Sequence, residues 1–203
     1  MKIVSIDESG PKKRARCLVF DDGLELTVSK DVASALGFHV GFECALDRSA
    51  LLALISDTSA QYGRKKAFSL LARRDYTVFE MEQKLAWDGY SKDLVGELIV
   101  HLKGLNLLND ERYIEGFAAT RLQSGYGPYL IMSKLLAKGI SEERARVAIS
   151  QYIEAEDFDL TESARARIEK YDLTQHKDRQ RAFRTLVSRG FDCDTVRKAL
   201  EAI

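Results

Sequence analysis

Histidine, cysteine and paired acids are the residue types in this 203-residue chain that could catalyse a reaction or bind a metal. The three histidines are scattered and none belongs to an H-E-x-x-H motif, and the three cysteines form no C-x-x-C pair. Paired acids such as Glu142 and Glu143 follow Ser141 in the first turn of a predicted helix, where the helix dipole favours them. The sequence has neither a phosphate-binding G-x-x-x-x-G-K-[ST] loop nor a G-x-S-x-G elbow. We therefore expect no metal, no cofactor and no enzyme activity.

Basic and aromatic residues are the groups that indicate binding, and they occur together in two stretches, 63–76 and 111–129. Arginine beside aromatic rings suits a nucleic acid and the rim of a protein interface alike. For each residue taken singly, a solvated charged face over an ordinary aromatic core remains the alternative. The candidate partner-binding residues are Arg73, Arg74, Arg112, Tyr113, Arg121, Tyr126, Tyr129, Lys134 and Lys138.

The net charge gives no reason to expect bulk attraction to nucleic acid, because 31 basic residues balance 31 acidic ones. The distribution is uneven, since residues 163–203 carry ten Lys or Arg against six acids. No apolar run approaches the ~20 residues of a membrane-spanning helix, and the first residues lack the apolar core of a secretion signal. We expect a cytoplasmic protein without membrane contact.

The first part of the chain has the pattern of strands. Short β-branched and apolar runs flank the Asp21-Asp22-Gly23 turn, which predicts a hairpin. A short helix should follow, capped by Ser29 and stopped by Gly37, and the segment 38–46 could add a fourth strand. We predict a small β-rich domain over residues 1–58.

The rest of the chain contains an internal repeat. Stretches 84–102, 134–152 and 185–203 align without a gap. Each has a glycine, then an apolar residue, then a Ser or Asp, which is the pattern of a helix ended by a left-handed glycine and followed by a capped second helix. The aligned glycines are Gly89, Gly139 and Gly190, spaced by 50 and 51 residues. The apolar residues that follow them are Tyr90, Ile140 and Phe191, and further core positions are Leu85, Leu135 and Leu186 before the glycine and Val95, Ala145 and Val196 after it.

A further helix precedes each of these pairs, over 64–74, 111–123 and 162–171. Thr77 with Glu80 forms a capping box in the first repeat, and Pro128 opens the matching helix in the second. The predicted fold is mostly α: three tandem three-helix repeats, about 64–108, 109–155 and 156–203, form an elongated, curved body over residues 59–203. Such arrays usually offer a long surface to a partner.

The stretch 104–141, preceded by 71–90, resembles the RecX family of bacterial regulators of the RecA recombinase. The resemblance rests on L-L-N-D-x-R-Y, then R-x-x-x-G-x-G, then L-x-x-K-G-I. It implies tandem three-helix repeats and a monomeric, non-catalytic protein that binds the RecA filament on DNA. It also implies a role in DNA recombination, repair and the SOS response, mainly by inhibiting recombinase, ATPase and coprotease activities. Direct DNA contact should be weak or made through the filament, and a helical protein that occupies DNA directly is the alternative.

The central repeat carries the densest part of this resemblance. The family's signature Asp and Arg fall on Asp110 and Arg112, although Asp110 is equally well placed as a helix N-cap. We expect four basic side chains to be exposed on one side of two adjacent helices, namely Arg112, Arg121, Lys134 and Lys138, with Tyr126 and Tyr129 near the joint. The residues expected to face the core are Leu107, Leu108, Phe117, Leu122, Ile131 and Leu135.

Overall fold

The fold is described over residues 1–201 of a computed structural model. It is mostly helical with a small antiparallel sheet at the start of the chain, which confirms the predicted fold class. The strands are β1 (Ile3–Ser9), β2 (Ala15–Phe20) and β3 (Glu25–Ser29). The helices are α1 (Lys30–Ala35), α2 (Arg48–Leu71), α3 (Val78–Trp87), α4 (Lys92–Gly104), α5 (Asp110–Gln123), α6 (Pro128–Leu136), α7 (Glu142–Ala155), α8 (Leu160–Arg165), α9 (His176–Ser188) and α10 (Cys193–Glu201). None of the helices in this range is long and apolar enough to cross a membrane.

The sheet has the order β1-β2-β3 with both neighbouring pairs antiparallel. The predicted fourth strand over 38–46 is wrong, because this segment makes only one isolated bridge, between Lys2 and Glu43. Gly41 has φ 90° and its N–H donates to the carbonyl of Ile3, so the chain turns against the sheet edge without extending along it. The predicted cap and stop of α1 are both present: Ser29 accepts the N–H of Val32, and Gly37 has φ 68°.

Helix α2 is a single run of 24 residues, and the boundary predicted at residue 58 falls inside it. Leu51 and Ile55 from its first half are buried in a core that also holds Phe20 of β2 and Leu98 of α4. The sheet and the first three-helix set therefore share one compact unit, residues 1–109, and residues 110–203 form a second. The further division of the chain at the predicted repeat boundaries stays a prediction.

The three repeated glycine corners have the same hydrogen bonds, as the alignment predicted. Gly89, Gly139 and Gly190 have φ of 90°, 79° and 85°. In each corner the glycine N–H and the next N–H donate back to carbonyls of the preceding helix, the C-terminal motif that a left-handed glycine allows. The apolar residue after each glycine is at most 6% exposed. The caps that follow are Ser91, Ser141 and Asp192, which accept the N–H groups of Leu94, Arg144 and Thr195. Residues 202 and 203 of the third stretch lie outside the described residues.

The third helix set departs from the prediction at its start. Helix α8 ends at Arg165, so the helix predicted over 162–171 is too long. Beyond it, Arg167 and Ile168 donate to carbonyls three residues back, which tightens the chain into turns. This tightening lets Ile168 reach the core of the set, where it is 3% exposed.

The predicted core of the central repeat is correct at Leu122, Ile131 and Leu135, each fully buried. The prediction that Leu107 faces the core is wrong. Leu107 is 39% exposed, because Asn106 before it adopts φ 54° and turns the chain outward after the end of α4. Leu108 is buried, but in the core of the first unit.

Candidate binding face

One side of α5 carries an aromatic stack. Tyr113, Phe117 and Arg121 are spaced by four residues, so they lie one above another on the helix. The rings of Tyr113 and Phe117 are nearly parallel, at 14°, with centroids 6.0 Å apart. The guanidinium carbon of Arg121 lies 5.1 Å from the centroid of the Phe117 ring. Phe117 was predicted as a core residue, and it is half-buried because one face packs on the core while the ring also contacts Arg121.

Cations extend this stack at both ends. The Lys138 ammonium, just after α6, lies 5.3 Å from the centroid of the Tyr113 ring. At the other end the Tyr126 ring lies between two guanidinium groups, with Arg121 at 5.7 Å and Arg189 at 5.3 Å. We call the resulting chain of contacts the cation–aromatic row; its members, in order, are Lys138, Tyr113, Phe117, Arg121, Tyr126 and Arg189.

Backbone hydrogen bonds hold the Arg189 end of the row in place. The N–H of Gly127 donates to the Arg189 carbonyl at 2.8 Å, and the N–H of Tyr129 donates to the Gly190 carbonyl at 3.0 Å. The Arg189 side chain donates to the Gly125 carbonyl at 3.2 Å. A Cβ atom on Gly127 would overlap the Gly190 carbonyl group, so the start of α6 approaches the end of α9 more closely than a side chain permits.

The two arginines of the row are not paired with acids in the described part of the chain. Arg121 and Arg189 form no ion pair with any residue in the range 1–201. The acids at the start of α5 are engaged by Arg144 of α7, with nitrogen–oxygen distances of 2.7 Å to Glu111 and 3.8 Å to Asp110. Asp110 is itself the first residue of α5. The rings therefore orient Arg121 and Arg189, whose charge remains available to an anionic partner.

The remaining predicted residues lie outside this arrangement. Arg112 and Lys134 are exposed on α5 and α6, and Tyr129 is 67% exposed near the start of α6. In the first unit, Arg73 is exposed after α2. Arg74 stacks 3.7 Å from the Tyr76 ring centroid and donates two hydrogen bonds of 3.1 Å to Glu80 of the α3 capping box, so its contacts support the fold.

The sequence prediction missed Arg189, although a signal for it was present. Lys138 and Arg189 both immediately precede the repeated glycine of their repeats, and they form the two ends of the row. The equivalent residue of the first repeat is Asp88, which is buried. Aligning the residue before each glycine would have grouped the two cations. Within the described range, no group of three His, Cys, Asp or Glu side chains is placed to hold a metal ion.

The fold and this face define a protein of three-helix sets with a cationic, aromatic surface row. The model of the second three-helix domain of RecX matches residues 109–149, which hold five of the six members of the row. The regulatory protein RecX of Chromohalobacter salexigens is 37% identical over 139 residues, covering 68% of this chain and 90% of that protein. The regulatory protein RecX of Caldanaerobacter subterraneus is 27% identical over 191 residues and covers 93% of this chain and 94% of that one.

Solved structures agree in fold. The crystal structure of RecX from Lactobacillus salivarius superimposes with a TM-score of 0.61 at 24% identity, over 70% of this chain and 94% of that one. A second crystal structure of a regulatory protein RecX covers 98% of both chains with a TM-score of 0.62 at 20% identity. The chain belongs to the RecX family of regulatory proteins.

Proposed function

We propose that this protein regulates the RecA recombinase by binding its filament on DNA, mainly inhibiting recombinase, ATPase and coprotease activity, without chemistry of its own. The observation that carries the proposal is the cation–aromatic row, because five of its six members lie in the part of the chain that the family model matches. Membership of a family of regulatory proteins supports the same conclusion. We further propose that it acts as a monomer in the cytoplasm.

The row suits tight binding to an anionic surface. Arginine and tyrosine are the residues that most often dominate interface energies. Holding a long cationic side chain against a ring before binding reduces the conformational entropy lost when the complex forms. An acidic groove on the partner would meet charges that are already oriented, which favours a stable complex over a transient one.

Regulation then follows from binding alone. A protein that binds one state of a filament more tightly than another shifts the equilibrium toward the tightly bound state. The size of that shift in free energy cannot exceed the difference between the two binding free energies. Attachment through the row would favour a filament state in which nucleotide hydrolysis and strand exchange are slow. No covalent step is needed.

The test measures RecA-dependent ATP hydrolysis on single-stranded DNA in the presence of the purified protein. Arg121→Glu with Lys138→Glu reverses two cations of the row, and we expect about a 30-fold higher concentration for half-inhibition, equivalent to ~2 kcal/mol of binding energy. Arg146→Glu with Lys103→Glu is the matched control, because both residues are exposed on other helices.

If the folded Arg121→Glu, Lys138→Glu variant still inhibits fully, the contact with the filament lies outside the row. No effect of the unmodified protein on hydrolysis or strand exchange, even at a stoichiometric amount, would refute the regulation of RecA itself. Circular dichroism on each variant checks that the helices are retained.

A second candidate function, direct occupation of DNA, is favoured by one separate observation, a basic pocket in the first unit. Binding of this kind should weaken steeply with salt and should not require the recombinase.

A further inference from the structure

The pocket lies between the sheet and the first helices, and every residue that lines it is charged or carries a hydroxyl. Its volume is about 280 Å³. The lining residues are Lys12, Lys13, Arg14, Ser29, Lys30, Asp31, Lys66 and Asp88. Five cations thus face two carboxylates, which leaves the pocket positive in a protein whose net charge is zero.

The buried carboxylate organises two of these cations. Asp88 is 5% exposed and accepts Lys66 at 2.7 Å and Arg14 at 3.2 Å. The backbone N–H of Lys30 donates to the carbonyl of Arg14 at 2.8 Å, which brings the start of α1 to the same place. The floor of the pocket therefore joins groups from four separate segments of the chain.

Two other cations of the pocket are not paired with any acid that the structure describes. Lys13 pairs with Glu8 at 2.9 Å, whereas Lys12 and Lys30 are exposed and form no ion pair within the described range. Lys12 and Lys13 also have φ of 60° and 55°, a backbone conformation that side-chain-bearing residues seldom adopt. Strain of this kind persists only where the surrounding structure enforces it.

An aromatic ring stands next to the basic pocket. A second, more open pocket of about 550 Å³ shares Asp31 and Lys66 with the first and is also lined by Tyr62 and Lys65 of α2. The Lys65 ammonium lies 5.1 Å from the centroid of the half-buried Tyr62 ring. Because the two pockets share Asp31 and Lys66, they adjoin, and we call them together the groove.

We propose that this groove binds a single strand of nucleic acid, with Lys12 and Lys30 contacting phosphates and Tyr62 stacking on a base. Combined phosphate contact and base stacking is how single strands are held without sequence preference. The lining of the basic pocket is entirely polar, which favours a chain of phosphates over an acidic peptide. A peptide would also bury apolar side-chain atoms, and these would need an apolar surface to pack against. The site is separate from the cation–aromatic row, and this inference rests on the second candidate function, because it names the site through which the protein would occupy DNA directly.

The test is fluorescence anisotropy of a labelled oligothymidylate strand titrated with the full chain, at several salt concentrations and without recombinase. Lys12→Gly with Lys30→Ala removes both contacts, and glycine adopts the left-handed backbone at position 12 without strain, so folding is not impaired. We expect binding at least about tenfold weaker at low salt, and a salt slope smaller by about 1.4, since each phosphate contact on a single strand contributes about 0.7.

Two further variants sharpen the result. Lys92→Ala with Lys103→Ala removes the same charge from exposed positions of α4 and should leave affinity and salt slope nearly unchanged. Tyr62→Leu keeps an apolar side chain but removes the ring, and it should weaken binding without changing the slope.

The proposal is overturned if the protein fails to bind the strand at low salt, or if Lys12→Gly with Lys30→Ala leaves the salt slope unchanged. Displacement of the strand by polyglutamate of equal charge, at equal effectiveness, would assign the groove to an acidic peptide. Because recombinase is absent, each of these outcomes is independent of the ATP hydrolysis test of the row.

Discussion

Arg121 and Lys138 were expected to be exposed surface charges. Each lies over an aromatic ring, so a substitution there should affect stability as well as binding. Both are half-buried and lie within 5.7 Å of ring centroids. A cation over a ring contributes ~0.5 to 1 kcal/mol at such sites. The same side chain thus serves the fold and the candidate interface.

The first prediction concerns Arg121, which contacts two rings. We expect Arg121→Ala to lower the free energy of unfolding by about 1 to 2 kcal/mol, because both cation–ring contacts are lost. Arg146→Ala, on the exposed side of α7, should change it by less than about 0.5 kcal/mol. Urea unfolding followed by circular dichroism measures both, and equal effects would mean that the rings do not hold the Arg121 side chain.

The second prediction concerns the cap of α10. Partial burial alone would raise the pKa of Asp192, but hydrogen bonds from the Thr195 side chain and from backbone N–H groups outweigh it and lower the pKa. The unfolded carboxyl has a pKa of about 3.9, so its stabilisation is complete above that value and is lost as the pH falls through the lower folded pKa.

Asp192→Asn keeps a capping side chain but cannot titrate. We expect the stability advantage of the unmodified protein over this variant to shrink below about pH 4. Thermal unfolding between neutral and acid pH measures it, with Thr195→Val expected to give a weaker pH dependence than the unmodified protein. Identical acid sensitivity in Asp192→Asn would show that another group is responsible.

At the scale of elements, the joint between α6 and α9 sets the shape of the candidate face. The N–H groups of Gly127 and Tyr129 meet the carbonyls of Arg189 and Gly190, with no room for a Cβ atom on either glycine. These bonds hold Arg189 beside the Tyr126 ring, whose other cation is Arg121.

The third prediction follows from that close approach. Gly127→Ala places a methyl group where the Gly190 carbonyl lies, and we expect it to destabilise the protein by about 1 to 3 kcal/mol, as overpacking commonly does. Gly116→Ala is the control, since nothing lies within 4 Å of the added methyl in the exposed middle of α5, and it should stabilise by roughly 0.5 to 1 kcal/mol. Thermal unfolding separates the two, and a neutral Gly127→Ala would mean that the joint opens readily.

At the scale of the whole molecule, the described residues form three buried clusters in two compact units. One cluster joins the sheet to α1–α4, the second joins α5–α7, and the third joins α8–α10. The equivalent leucines Leu85, Leu135 and Leu186 are each fully buried in a different cluster.

The fourth prediction compares two of these leucines. Leu85→Ala and Leu135→Ala should each cost about 2 to 5 kcal/mol, the usual range for a buried leucine that leaves a cavity. We expect hydrogen exchange to rise mainly within residues 1–109 for the first and mainly within 110–201 for the second, because local stability follows the core that is damaged. An equal rise across the whole chain for both variants would contradict separate cores.

Local sequence alone determined the glycine corners and the helix ends that adjoin them. A left-handed glycine, the apolar residue after it and the next cap interact within about six residues, so their types suffice to predict the geometry. The same reasoning identified the capping box at Thr77 and the opening of α6 at Pro128.

Only the tertiary structure decided which side chains from different elements lie together. The continuous α2 across residue 58, the placement of Arg189 beside Tyr126 and the basic pocket around Asp88 all depend on residues far apart in the chain. Such contacts are selected by the packing of whole helices against a shared core, and no local pattern of residue types encodes that choice.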